Sequence, residues 1–258
     1  MTGLRRVAVR VPLAEAEEAR AAFLELAPGG FEEIEQSDAL ELALYTDAAG
    51  EQSLRGRFDG ATASDVADDW AERWRAFHRP ARVGPLWVGP PWEEPDAGLV
   101  PVVIEPAQAF GTGAHPTTRL TLELLLELPR GSVLDVGCGS GVLSVAAARL
   151  GFGPVHALDV DPLALDATRA NAERNGVTVE VRVGDALVDP LEAADVVLAN
   201  VSEAVLEALA PRLSCRHLVA SGFLRDAVPP LAGFTELERR EEDGWVAVLC
   251  SGFPASQG

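Results

Sequence analysis

Residues 133–141 read Val-Leu-Asp-Val-Gly-Cys-Gly-Ser-Gly, and this stretch decides how the chain is to be read. An apolar strand runs into Asp135, glycines alternate at Gly137, Gly139 and Gly141, and an apolar helix follows from Val142 to Leu150. Alternate glycines allow a tight strand-to-helix turn and let a ligand lie against bare main chain. A dinucleotide site spaces its glycines G-x-G-x-x-G and aims a helix N-terminus at a pyrophosphate. Here the third glycine comes one residue earlier and an acid precedes the turn. That pattern suits a ligand carrying an amino group and a sulfonium better than one carrying two phosphates. The expected cofactor is S-adenosyl-L-methionine, and a nicotinamide-dependent oxidoreductase is the disfavoured rival.

Outward from this turn the chain alternates strand and helix. Strand 132–135 leads to helix 141–150, strand 154–158 to helix 162–175, and strands 178–183 and 194–199 to helix 203–213. Strand 216–221 follows, and two last strands, 234–240 and 245–251, are joined by the hairpin-like Glu241-Glu242-Asp243-Gly244. Such alternation predicts an α/β fold, a parallel sheet covered by helices and closed by an antiparallel strand. Ligands in such sheets sit beyond the carboxyl ends of the strands, where strand order reverses.

Before this region, residues 4–12 alternate as a strand. Leu13, Ala16, Ala19, Phe23 and Leu26 have helical spacing up to Pro28-Gly29-Gly30, and strands are predicted over 31–36 and 40–46. This βαββ beginning, with a tail to about Ala63, reads as a small ferredoxin-like α+β domain. Residues 64–98 read as a connector: a helix 66–77 with Trp70, Trp74 and Phe77 on one stripe, then a semi-rigid spacer containing Pro80, Pro85, Pro90, Pro91 and Pro95. The domain expectation is therefore 1–63, a linker 64–98, and a cofactor domain 99–258.

The carboxyl ends of the strands carry the chemistry. Asp159 ends the second strand, one strand-helix-strand unit after the glycine turn, where a carboxylate can accept hydrogen bonds from two vicinal ribose hydroxyls. Asp161, before Pro162, reads as a helix cap. Asp185 follows the third strand and could accept from an adenine amino group, with an ordinary turn acid as the plain alternative. Asn200 ends strand 194–199, and its amide could hold an amine nucleophile in line with a methyl group; capping of helix 203–213 is the alternative. No aromatic follows Asn200 to stack a base, which argues against a nucleobase substrate. The loop Glu105–Thr118 contains Phe110, Gly111, Thr112, Gly113, His115 and Thr117 and reads as a candidate lid over the ligand. Cys138 lies inside the glycine turn, where any small side chain would serve.

Composition narrows the classes. The formal charge is −19, and all 21 basic residues are arginine, so no lysine nucleophile or Schiff base exists in this sequence. An acidic chain favours a basic partner and disfavours tight binding to a phosphate backbone. The three cysteines show no C-x-x-C spacing, so neither a disulfide framework nor a metal site is expected. No apolar run approaches a membrane span, and Met1–Arg10 lacks the apolar core of a signal peptide, so a cytoplasmic protein is expected.

Three segments carry a family likeness: Ile104–Thr118 with its Phe-Gly-Thr-Gly-x-His-x-Thr-Thr core, Val133–Leu150, and Ala157–Val177 with Leu-Asp-Val-Asp-Pro and Asn171…Asn175-Gly176-Val177. With Asp69-Trp70…Trp74 and Pro90-Pro91-Trp92-Glu93, they make the chain resemble the ribosomal protein L-eleven methyltransferase family (PrmA). The resemblance implies a class I (Rossmann-like) seven-stranded methyltransferase domain, an N-terminal ferredoxin-like domain that recognises the ribosomal protein, and methylation of lysine ε-amines and an N-terminal α-amine. It carries Phe110, Gly111, Thr112, Gly113 and His115 as cofactor-loop residues, Asp135, Gly137, Gly139, Asp159 and Asp185 as cofactor site, and Asn200 as the substrate-side residue. With Gly141 and Thr117 at the cofactor and His115 beside Asn200 in catalysis, the expected enzyme is a monomer acting on a basic ribosomal protein, with no nucleic acid or membrane. The chain departs from the family at Val201-Ser202-Glu203, where an apolar Ile-Leu is common. It is also shorter over Pro211–Val219 and after Phe223, so a truncated last helix is expected.

Overall fold

The computed structural model describes residues 5–16, 19–20, 22–23, 31–35, 39–46, 48–65, 79–105 and 113–252. The chain divides into two compact units, residues 1–77 and 78–258. The predicted tryptophan-bearing helix over 66–77 lies outside the described residues.

In the first unit, strands β1 (Arg5–Pro12), β2 (Glu32–Glu35), β3 (Ala39–Thr46) and β4 (Thr62–Asp65) form an antiparallel sheet in the order β2-β3-β1-β4. Alternation along β1 puts Val7, Val9 and Val11 against Leu40, Leu42 and Leu44 in one core. Ala16, Ala19 and Phe23 of the predicted helix join that core, whereas Leu13 is exposed and Leu26 lies outside the described residues. Phe23 packs against Phe31 and Phe58 at centroid distances of 5.3 and 5.5 Å. The expected βαββ with a short tail is corrected by two further elements, α1 (Ala48–Arg57) and β4. Helix α1 contains two glycines and buries one large apolar side chain, Leu54, so it shows no apolar stripe to read.

In the second unit, β5 (Ala81–Val83), β6 (Leu86–Gly89) and β7 (Val100–Val103) make a three-stranded sheet, antiparallel between β5 and β6 and parallel between β6 and β7. Val83, Leu86 and Val88 are buried in the main core of this unit. Much of the stretch expected to be a proline-rich spacer is therefore packed structure. Its prolines flank strands of three and four residues, too short to show a period among them.

The main sheet has seven strands: β8 (Val133–Val136), β9 (Val155–Asp159), β10 (Glu180–Val183), β11 (Ala194–Asn200), β12 (Cys215–Leu224), β13 (Thr235–Glu242) and β14 (Trp245–Ser251). Their order is β10-β9-β8-β11-β12-β14-β13, parallel except where β14 pairs antiparallel with both β12 and β13. All four residues of β8 are buried, as a central parallel strand requires. Helices α2 (Pro116–Leu126), α3 (Val142–Arg149), α4 (Pro162–Arg174) and α5 (Glu203–Leu209) connect or cover these strands. Helix α5 ends in a 3-10 turn, Ala210–Arg212, and only a second 3-10 turn, Arg225–Ala227, stands between β12 and β13. Strand β12 runs past its predicted end, with a bulge between Ser221 and Phe223. Among the described residues no helix is long and apolar enough to cross a membrane.

Candidate active site

The sheet reverses its order between β8 and β11, so a crevice is expected at their carboxyl ends. The glycine turn stands there. Gly137, Gly139 and Gly141 have φ of 71°, 55° and 79°, left-handed values that side-chain-bearing residues avoid, and Gly141 opens α3. The turn is also close-packed. A Cβ on Gly137 would lie 2.6 Å from Val201 Cγ1, and one on Gly141 would lie 2.8 Å from Thr168.

Its hydrogen bonds to neighbouring elements come from β9 and α4. Gly137 and Cys138 donate their amides to the Leu158 carbonyl of β9, and Gly139 donates to Asp159 Oδ2 at 3.0 Å. Asp159 Oδ1 accepts from the Asp161 amide at 3.0 Å. From α4, Thr168 Oγ1 donates to the Gly139 carbonyl at 3.0 Å and Asn171 Nδ2 to the Ser140 carbonyl at 2.9 Å. Asp161 caps α4 as expected, accepting from the Leu163 amide at 2.9 Å. Cys138 contacts Thr168 through sulfur, and burial pushes its thiol up to about 12, so it stays protonated.

Asp135 is 1% exposed. Its Oδ2 accepts from Ser144 twice, from the amide at 3.0 Å and the hydroxyl at 2.5 Å. Its Oδ1 is buried with no hydrogen-bond partner among the described residues. Burial is the main cause of a pKa raised to about 6, which the two Ser144 bonds oppose. A buried acceptor with nothing on one side is costly unless a donor reaches it. That unpaired oxygen, beside a turn of bare backbone, fits an amino-bearing nucleoside cofactor. Sequence reading missed Ser144, although a lone hydroxyl inside the apolar Val142–Arg149 helix was the available signal.

On the other side of the crevice, α2 begins at His115, whose Nδ1 accepts from the Thr117 amide at 3.3 Å and lies 2.8 Å from Thr117 Oγ1. Asn200 Nδ2 donates to the same Thr117 Oγ1 at 3.1 Å. A hydroxyl that accepts from Asn200 can give its own proton to His115 Nδ1, which leaves the imidazole proton on Nε2. Burial first, and the Arg119 charge second, hold the His115 pKa below its usual value. The structure thus joins three predicted residues, with Thr117 serving two side chains. With Nδ2 engaged, the acceptor remaining on Asn200 is Oδ1.

Two partners were not read from sequence. Trp245 meets the His115 ring edge-on at 4.9 Å, and Arg119 forks onto Glu242 at 3.0 and 2.6 Å while also donating to the Ala114 carbonyl. Both partners lie on the β13–β14 hairpin, far from α2 in sequence. Beyond β11, the Val201 amide donates to the Ser221 carbonyl, and a Cβ on Gly222 would lie 2.1 Å from the Val201 oxygen. Gly113 is buried with φ 86°, and a Cβ there would lie 2.4 Å from Val88 of β6. Asp185 is exposed; its Oδ1 accepts from the Leu187 amide at 2.8 Å and its amide donates to Asp189. Phe110, Gly111 and Thr112 lie outside the described residues. Among the described residues no group of three His, Cys, Asp or Glu side chains is arranged to hold a metal.

A glycine turn after β8, acids after β9 and β10, and a seven-stranded sheet with one antiparallel insertion define the class I methyltransferase fold. Residues 31–250 match the family described as Ribosomal protein L11 methyltransferase (PrmA). A relative of that name from Symbiobacterium thermophilum is 44% identical over 200 residues, which cover 70% of this chain and 65% of the relative. One from Pelobacter propionicus is 40% identical over 247 residues, 85% of this chain and 79% of the relative. The crystal structure of a ribosomal protein L11 methylase from Lactobacillus delbrueckii subsp. bulgaricus superposes with a TM-score of 0.60 at 25% identity, covering 68% of this chain and all of that one. The chain belongs to the ribosomal protein L11 methyltransferase family.

Proposed function

We propose that this protein transfers methyl groups from S-adenosyl-L-methionine to amines of ribosomal protein L11, at lysine ε-amines, the N-terminal α-amine, or both. The observation that carries the reading is the buried, unpartnered Asp135 Oδ1 beside a glycine turn, within a chain of this family. The cofactor supplies an electrophilic methyl on a sulfonium. Asp135 Oδ1 receives its amino group, Asp159 its ribose hydroxyls, and Asp185 with Ala186 its adenine, while Gly137, Gly139 and Gly141 allow close approach.

The incoming lysine amine has a reference pKa of about 10.4 and must lose a proton to attack. The acidic chain draws the ammonium in, and desolvation in the crevice lowers its pKa so that the proton leaves to water. Asn200 Oδ1 accepts from the free amine and fixes its lone pair in line, while Thr117 and His115 hold the amide in that orientation. Residues 1–63 serve as a ferredoxin-like domain that recognises the basic ribosomal protein, and the enzyme acts as a cytoplasmic monomer. Calorimetric titration with S-adenosylhomocysteine and with NAD tests the cofactor assignment. Saturable binding of the first alone is expected, and binding of NAD alone overturns the reading.

A further inference from the structure

The asparagine pair of Asn171…Asn175-Gly176 is not used by the chemistry above, yet both residues are buried, 1% and 9% exposed. They lie four residues apart on α4 and its cap, hence on one helix face. Asn175 presents its amide to β7 as a neighbouring strand would: Oδ1 accepts from the Val103 amide at 2.8 Å and Nδ2 donates to the Val103 carbonyl at 2.7 Å. Asn171 Oδ1 then takes the next inward amide along the chain, that of Glu105, at 2.9 Å. The two side chains together form a short ladder along β7, whose one strand partner among the described residues is β6.

Asn171 differs from Asn175 in where its other end goes. Its Nδ2 donates to the Ser140 carbonyl inside the glycine turn at 2.9 Å. With Thr168 on the Gly139 carbonyl, α4 grips two successive carbonyls of that turn. Each peptide plane turned inward by these bonds fixes the plane beside it, and so the backbone surface offered to a ligand.

We infer that Asn171 is a positioning residue for the cofactor, a strut that locks the glycine turn to the end of β7 through Ser140 and Glu105. Asn175 by contrast holds the sheet edge and the last turn of its own helix, where Nδ2 also donates to the Asn171 carbonyl at 2.7 Å, and among the described residues its side chain makes no bond to the glycine turn. The inference rests on the cofactor reading of the turn. Asn171→Asp keeps an acceptor for the Glu105 amide but sets a carboxylate oxygen against the Ser140 carbonyl. Asn171→Ser removes the reach to Ser140 with little charge change. The full chain and both variants, with Asn175→Ser as comparison, are titrated with S-adenosylhomocysteine, and melting temperatures are recorded alongside.

The inference expects both Asn171 variants to weaken binding about tenfold or more, the affinity equivalent of one hydrogen bond to a positioned group. Asn175→Ser should lower the melting temperature comparably but leave affinity within about twofold. In steady state, Asn171→Ser should raise KM for the methyl donor while kcat changes less. Equal affinity loss in the Asn171 and Asn175 variants would assign both to stability and overturn the inference, as would unchanged affinity in both Asn171 variants. If the unaltered chain binds no S-adenosylhomocysteine, the cofactor reading fails instead.

Discussion

Val201 touches two glycines in chemically different ways, and a double-mutant cycle separates them. At Gly137 an added Cβ would meet Val201 Cγ1, a side-chain atom, at 2.6 Å; at Gly222 it would meet the Val201 oxygen, carbon and nitrogen at 2.1, 2.8 and 3.0 Å. Both glycines have positive φ, 71° and 104°, so alanine at either costs about 1–2 kcal/mol in backbone conformation alone. Overlap adds about 1–3 kcal/mol at Gly137, since carbon atoms rest about 3.5–4.0 Å apart. Removing Cγ1 with Val201→Ala should relieve that overlap, giving a coupling of about 1–3 kcal/mol between the Gly137→Ala and Val201→Ala substitutions. It cannot relieve a clash with the main chain, so Gly222→Ala and Val201→Ala should add within about 0.5 kcal/mol. Urea unfolding followed by tryptophan fluorescence, at constant m, reads all of the variants. Equal rescue at both glycines, or rescue at neither, would refute the packing of the post-β11 loop over the turn.

Asn200→Ala should reduce kcat about 100-fold or more while S-adenosylhomocysteine affinity holds, because orientation of the amine is lost and the cofactor site is not; a rise in KM for the protein substrate with kcat unchanged would contradict this. Thr117→Val keeps the shape but removes the hydroxyl between His115 and Asn200, and about a tenfold kcat loss with little change in melting temperature is expected. Asp135 binds its proton more tightly folded than unfolded, with a pKa raised from 3.8 to about 6. Stability should therefore fall as pH rises through that window, by roughly 3 kcal/mol, and Asp135→Asn should flatten the profile measured by urea unfolding. Cofactor affinity should rise over the same window, because the ionised carboxylate is the form that pairs with an ammonium. Asp159→Ala, which frees the Gly139 amide as well as removing the proposed ribose acceptor, should abolish detectable S-adenosylhomocysteine binding by calorimetry.

Strongly periodic parts of the fold were legible in the sequence. The alternation after Val133, the cap at Asp161 and the β13–β14 hairpin all follow local rules, and so does the left-handed turn at three glycines. Short elements were not legible. Helix α1 hangs on Leu54, and β5 and β6 are hidden between prolines, because their burial comes from distant partners and not from a local period. At the site, acids and the asparagine at strand ends could be named because topology places strand ends together. The Thr117 bridge, Trp245 on His115 and Glu242 on Arg119 join residues remote in sequence. Neutral amides such as Asn171 carry no charge or period that marks them, so their contacts emerge only when α4 is laid beside the turn.

The central claim is methyl transfer to a protein amine from a cofactor held at the β8–β11 crevice. Purified protein incubated with isotopically labelled S-adenosyl-L-methionine and unmethylated ribosomal protein L11, then mapped by peptide mass spectrometry, tests it most directly. The account predicts labelled methyl groups on lysine or N-terminal amines, lost in the Asn200→Ala variant. An unlabelled ribosomal protein, from an enzyme that demonstrably binds the cofactor, would contradict it.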